Sequence, residues 1–298
     1  DRSWRMVRAP LDSAARFGRL VRASDPGARS WILASATLGH DDTLHWFTRS
    51  LGLADHPAVR TLRVASPFDH GEQAALFVPH DLPEPSDAAH TPELAARVAR
   101  WASRLGGRTL VLTTTLRAVA RMAEALNEQV LQGQCAPLQV LAQGRLSRAA
   151  LLERFRTAAS TQHGAVLVAS ASFWEGVDLA GDALQLLVID KLPFPSPDDP
   201  LTAARAARLE AQGLKAFGDG YLPEAAMALK QGAGRLIRTE TDQGVLVIGD
   251  RRLLTRSYGL ELLASLPAMR RLVNEAEMSA ALDTLTLTRS STRARPCS

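Results

Sequence analysis

"RTLVLTTTLRAVARMAEALNEQV", from Arg108 to Val130, decides the fold. Its first third is apolar without alternation, which suits a strand buried on both faces. A run of small hydroxyl residues follows. Then apolar residues recur at helical spacing, as on an amphipathic helix. A strand that leads directly into a covering helix is half of a βαβ unit, and the rhythm repeats along the chain. "PELAARVARWASRL" is a helix that enters this strand through Gly106 and Gly107. "LQVLAQG", "GAVLVASAS", "LQLLVIDKLPF" and "GVLVIGD" read as further strands, with "SRAALLERFRTAA" a helix between two of them. "EQAALFVP" (Glu72–Pro79) is an earlier strand. Apolar strands that alternate with amphipathic helices predict a doubly wound α/β domain, its mostly parallel sheet covered by helices on both faces.

Toward the amino terminus, residues 1–30 read as a connector with a short helix, and "SWILASATLG" (Ser30–Gly39) as an apolar strand. "DDTLHWFTRSLGL" is a helix with an aspartate cap, and "HDLPEPSDAAHTP" a loop. At the other end "LTRSSTRARPCS" lacks apolar periodicity. The expected division is a connector over 1–40, one domain over 41–275 and a disordered tail over 276–298. Because the chain opens on Asp1, it reads as a piece cut from a longer protein.

The 298 residues are 46% hydrophobic and 22% charged, enough for a sizeable core. There is no apolar run of membrane-spanning length and no secretory leader, so no membrane partner is expected. The cysteines are Cys135 and Cys297, which suits a reducing cytoplasm. Two cysteines so far apart cannot by themselves hold zinc or an iron–sulfur cluster, and no metal site is expected. The net charge of +4 is carried by arginine, since lysine occurs only at Lys191, Lys215 and Lys230. Arginine codon preference in a GC-rich genome explains that bias, and so does a surface built to meet phosphates.

In a parallel sheet ligands bind outside the carboxyl ends of the strands, so the residues after strands are the informative ones. Walker A needs glycine before a lysine and is absent, as are G-x-G-x-x-G, H-E-x-x-H, C-x-x-C and G-x-S-x-G. What remains is "QGAGRLIR", with Arg235 and Arg238 at i and i+3. On a helix both would point to one face, where they either grip an anion or form a solvated basic stripe. Gly232 and Gly234 inside the same helical run suggest a close approach by something. In "FWEGVDLAG", Glu175 and Asp178 flank Gly176 after a strand. They suit ribose hydroxyls, a metal, a partner arginine or an acidic turn, while Phe173 and Trp174 suit base stacking or the core.

Together these pieces resemble the second RecA-like motor domain of superfamily 2 DNA helicases, in the XPD/DinG branch and its bacterial DinG-like members. "ASATLG" is similar to motif III, "LVLTTT" with its helix to motif IV, and "LAQG" to the element that follows. "SFWEGVDLAGDALQLLVIDKLPFPSPDDP" is similar to motif V, and "QGAGRLIRTETDQGVLVIGDRR" to motif VI. The likeness covers about residues 10 to 260. It implies a RecA-like fold without its own P-loop, one of two such domains that close on ATP and Mg2+. The Walker elements, and any iron–sulfur cluster, would belong to the missing first motor domain.

By that resemblance Arg235 and Arg238 would be arginine fingers. Gln231 and Gly234 would lie beside the nucleotide, and Glu175, Gly176 and Asp178 would couple it to DNA. Thr113, Thr114, Thr115, Ser170 and Ser172 would meet the phosphates of single-stranded DNA, and Ser35 and Thr37 would link the domains. Gly232 stands where other superfamily 2 helicases carry arginine, so a role for that arginine does not transfer. The activity implied is ATP-driven 5′-to-3′ movement on single-stranded DNA in repair or replication, in the bacterial cytoplasm at the nucleoid. This chain alone would be inactive. An alternative of a different class is a non-enzymatic RecA-like module that docks a replication or repair protein, for instance through "LEAQGLKAFGDGYLPEAAM" (Leu209–Met227). A sugar-nucleotide transferase half is a third reading, but it requires neither the arginine pair nor the Glu175–Asp178 loop.

Overall fold

Seven parallel strands form one sheet in the order β3-β4-β2-β5-β6-β1-β7. The computed structural model describes residues 11, 13–22, 30–35, 43–54, 56–159, 164–170, 173 and 183–293, with side chains as far as 288. Along the chain come α1 (Ser13–Arg22), α2 (His45–Ser50), α3 (His70–Gln73), β1 (Ala74–Phe77), α4 (His90–Arg104), β2 (Thr109–Thr113) and α5 (Leu116–Leu131). They are followed by β3 (Gln139–Ala142), α6 (Arg148–Ala158), β4 (Ala165–Ser170), β5 (Leu186–Ile189) and α7 (Pro200–Ala211). A π-helix (Ala216–Tyr221) leads into α8 (Leu222–Ala233). The chain closes with β6 (Gly244–Ile248), α9 (Arg252–Thr255), α10 (Gly259–Ser265), β7 (Arg270–Leu272) and α11 (Glu275–Arg293).

The central strands are apolar throughout because both faces are covered. On one face Val111, Val166, Val168, Val188, Val245 and Val247 pack with Leu94, Val98, Met122 and Leu126 of α4 and α5, and with Met278 and Leu282 of α11. On the other, Leu110, Leu112, Leu167, Leu187, Ile189, Leu246 and Ile248 are equally inaccessible to solvent. The entry to β2 is tight. Gly107 has φ of 86°, and a Cβ there would stand 2.3 Å from the Ala165 nitrogen, so only glycine fits. Arg108 follows, nearly fully buried, with its guanidinium on the Leu105 carbonyl and on Gln185 Oε1, both at 3.2 Å. This arginine is structural.

Contacts group the chain into two units, residues 1–65 with 194–227 and residues 66–193 with 228–298. The division expected from the sequence has its boundaries after 40 and 275. The first unit holds α1, α2, α7 and the π-helix, with Phe17 edge-on to Trp31 at 5.6 Å and Phe194 beside Phe217 at 5.5 Å. The second unit holds the whole sheet.

Three expectations need correction. Residues 30–35 of the supposed "SWILASATLG" strand form no regular element and are exposed, Ile32 to 90%. A strand needs a ladder, and among the described residues none pairs with this one. Residues 276–293 of the expected disordered tail form α11, because Met278, Ala281, Leu282 and Leu285 give it a buried stripe. Finally, α2 is only six residues long, and Leu44 precedes it as the capping residue without a side-chain hydrogen bond.

Candidate functional site

Helix α8 stops at Ala233, before either arginine of "GRLIR". The chain then tightens, with Arg235 N–H donating to the Gly232 carbonyl at 3.0 Å and Leu236 N–H to the Ala233 carbonyl at 3.1 Å. Leu236 and Ile237 turn into the core, and Arg235 and Arg238 on either side of them remain half-buried. The two arginines therefore do not share a helical face as their spacing suggested; they flank a buried apolar pair in a turn. The glycines act at the end of the helix. Gly232 lies in its last turn, and Gly234 is exposed with the Lys230 carbonyl 3.4 Å from where a Cβ would be. Gln231, half-buried, is one turn ahead of Arg235 on α8.

Two residues that sequence reasoning missed hold this turn. Asp242 is buried and accepts from Arg238 N–H at 2.7 Å, Thr239 N–H at 2.9 Å and the Thr239 hydroxyl at 2.8 Å. Gln73 Nε2, at the end of α3, donates to the carbonyls of Thr239 at 2.9 Å and Asp242 at 3.0 Å. An aspartate four residues after Arg238 was a readable turn signal, whereas nothing local points to Gln73. Asp242→Ala is expected to lower stability by about 2 kcal/mol, because it strands two backbone donors. Urea unfolding of the two proteins compares the midpoints, and equal values would mean that the turn holds without Asp242.

The hydroxyl residues lie at the opposite edge of the sheet. The arginine turn feeds the amino end of β6, while Thr113 to Thr115 leave the carboxyl end of β2; a strand of this length separates the two edges by about 16 Å. The structure thus keeps the two groups of candidates apart. Thr113 is buried, and its hydroxyl donates to the Thr115 carbonyl at 3.1 Å. Thr115 is exposed, and its Oγ1 accepts from Ala118 N–H at 3.1 Å to cap α5, which leaves its own proton available for donation. Thr114 between them is half-buried. Next door, Ser170 N–H and hydroxyl both donate to Gln143 Oε1, at 2.7 and 3.0 Å. Ser147 caps α6 through Ala150 N–H at 3.3 Å. Two capped helix N-termini thus open on this edge, where partial positive charge favours anions. Phe173 is not a stacking platform here, since it is buried and the Arg148 guanidinium covers its ring at 5.2 Å.

The carboxyl ends of β5 and β6 are closed off. Asp250 is fully buried and accepts from Leu192 N–H at 2.9 Å and from Arg252 Nη2 at 2.7 Å. The hydrogen bond to Asp250 raises the Arg252 pKa. The loop ahead of α4 lies over these ends, through Lys191 Nζ on the Pro85 carbonyl at 2.8 Å and Arg251 on Glu84 at 3.2 Å. His90 Nε2 meets the Gly249 carbonyl at 2.7 Å; burial lowers the His90 pKa, so the neutral ring donates from that nitrogen. Asp190 is buried, and desolvation pushes its pKa up to about 7, with Lys191 opposing. The ends of β2 and β3 lead instead into the capped amino termini of α5 and α6. Among the described residues no group of His, Cys, Asp and Glu could hold a metal ion, and no helix is long and apolar enough to cross a membrane.

Ser35 is exposed in the first unit. Thr37, Ser172, Glu175, Gly176 and Asp178 lie outside the described residues.

The helicase C-terminal domain family matches residues 98–269, from within α4 to just before β7. The ATP-dependent DNA helicase YoaA of Escherichia coli is 42% identical over 267 residues, which cover 90% of this chain and 40% of that protein. The ATP-dependent helicase DinG of Mycobacterium tuberculosis is 37% identical over 275 residues, covering 92% of this chain and 39% of that protein. The chain therefore spans about two fifths of the length of these relatives. A solved XPD helicase aligns with a TM-score of 0.47 at 16% identity, over 67% of this chain and 36% of that one. With the family match running over the sheet, the arginine turn and the start of α5, this chain belongs to the helicase C-terminal domain family.

Proposed function

We propose that this chain is the second motor domain of an ATP-dependent DNA helicase that moves 5′ to 3′ on single-stranded DNA. The observation that carries the reading is the turn after α8, where Asp242 holds the Arg238 N–H and Gln73 the carbonyls of Thr239 and Asp242, with Arg235 three residues ahead on the tightened end of the helix. Two guanidiniums on a fixed turn suit charge that develops on a phosphoryl group, since such donors act best when they need no reorganisation. Gln231 and Gly234 border the same turn. Lacking a lysine-bearing phosphate loop, this chain leaves ATP and Mg2+ to the first motor domain and closes over them. An iron–sulfur cluster would likewise be held outside this chain.

At the other edge, Thr114, Thr115 and the start of α5 face a nucleic-acid backbone, with Thr113 and Ser170 shaping the surface from within. Contacts of this kind are indifferent to sequence, as translocation requires. By the family resemblance, Glu175, Gly176 and Asp178 would couple nucleotide to DNA, Ser172 would meet DNA phosphates, and Ser35 and Thr37 would link the motor domains. A replication or repair protein is the partner expected for the whole enzyme.

The test is unwinding by the full-length protein of duplexes with a single-stranded tail at either the 5′ or the 3′ end. ATP-dependent unwinding of the 5′-tailed duplex alone is expected. Unwinding from the 3′ tail alone would reverse the polarity. With neither substrate unwound, the docking-module reading takes over.

A further inference from the structure

Gln143 ends the ladder between β3 and β4. Its backbone N–H donates to the Val168 carbonyl at 3.0 Å, a regular parallel bond. The next bond of such a ladder would run from Ser170 N–H to the Gln143 main-chain carbonyl. Gly144 follows with φ of 111°, and the chain turns away. The Gln143 side chain takes the place of its own main chain, Oε1 accepting from Ser170 N–H at 2.7 Å and from the Ser170 hydroxyl at 3.0 Å. A backbone N–H can only donate, so the atom facing it must be the amide oxygen and not the nitrogen.

We propose that Gln143 is a positioning residue for the nucleic-acid edge, acting through its side-chain carbonyl on Ser170. Ser170 is the last residue of β4 and pairs in register with Thr113 of β2. The Thr113 hydroxyl also lies 3.5 Å from the Ala169 carbonyl. Behind Gln143, the short stretch Gly144–Ser147 carries exposed Arg145 and leads to the cap of α6. One side chain therefore locks the β3–α6 turn, with its basic residue and helix N-terminus, against the strand beside Thr114 and Thr115. Without the lock, the phosphate-facing groups of two neighbouring loops lose their common register. The functional part of this role rests on the helicase reading.

The experiment compares the full-length wild-type protein with Gln143→Met, which keeps the length of the side chain but has no comparable acceptor, and Gln143→Glu, which keeps the acceptor and loses the N–H donors. Two measurements are made, DNA-stimulated ATP hydrolysis and hydrogen exchange of the segment that ends β4. Gln143→Met is expected to raise the DNA concentration for half-maximal stimulation about tenfold with the KM for ATP unchanged, and to expose the Ser170 amide to exchange. Gln143→Glu is expected to keep the protection and most of the DNA response. Wild-type behaviour of Gln143→Met in both measurements would overturn the proposal. So would Gln143→Glu with full protection but the same loss of DNA response as Gln143→Met, because the amide would then touch DNA itself. If the wild type shows no DNA-stimulated hydrolysis, the helicase reading fails, while the exchange data still decide what Gln143 holds.

Discussion

Arg238→Ala in the full-length protein is expected to lower DNA-stimulated ATP hydrolysis about 10³-fold while single-stranded DNA binding is retained. The expectation comes from the way the residue is mounted. Its backbone N–H is tied to buried Asp242 at 2.7 Å, and the turn is fastened a second time by Gln73. Buried Ile237 fixes the residue just before it. A guanidinium on such a mount loses little freedom when it meets a developing negative charge, and that is the condition for a large contribution to the transition state. Removing the side chain leaves Asp242 and its hydrogen bonds to the backbone in place, so the fold should survive. The hydroxyl edge is a full strand length away, which is why DNA binding should be unaffected. Single-turnover hydrolysis and fluorescence anisotropy with a labelled oligonucleotide measure the two quantities separately. Unchanged hydrolysis would make "GRLIR" a structural helix end and remove the main support for the motor reading. A parallel loss of DNA binding would mean that the two edges are not independent.

The sheet was legible in the sequence because its strands are covered on both faces, which writes them as unbroken apolar runs between amphipathic helices. The same signal failed where burial and pairing part company. Trp31 to Leu33 are as apolar as any strand, yet they pair with nothing among the described residues. Conversely β7 begins with Arg270 and Arg271, polar because it is an edge strand of three residues, and nothing in its composition marked it. In α11 Met278, Ala281, Leu282 and Leu285 have helical spacing, but the polar residues between them and the basic end dilute the apolar signal. At the candidate site, residue types carried the arginine turn and the hydroxyl edge but not their supports. Gln73 is 166 residues from the carbonyl it holds on Thr239, and no local pattern encodes such a distance. The helix-face argument for Arg235 and Arg238 failed because Leu236 and Ile237 are drawn into the core once the helix has ended at Ala233.

Asp190 supplies the second large effect, on stability. It follows β5 at the centre of the sheet, is 2% exposed, and its Oδ1 has no hydrogen-bond partner among the described residues. Desolvation raises its pKa from 3.8 to about 7, with Lys191 acting against the shift and Asp250 adding to it. The sign follows from proton counting. Between about pH 4 and pH 7 the folded protein keeps the proton that the unfolded chain has released, so stability falls as pH rises through that window and is level above it. Asp190→Asn removes the titration and is expected to raise stability at pH 8, relative to wild type, by on the order of 3 kcal/mol more than at pH 4. His90 works in the opposite sense. Its folded pKa lies below the ordinary value, so its contribution is present above about pH 6.5 and is lost on acidification. Asp81 and Asp199, whose pKa values are lowered, add slopes of their own at the acid end, so only the difference between wild type and Asp190→Asn isolates this carboxyl group. Urea midpoints at pH 4, 6 and 8 for both proteins provide it. If the difference stays constant over that range, Asp190 is ionised in the folded protein throughout, and Lys191 rather than burial governs it.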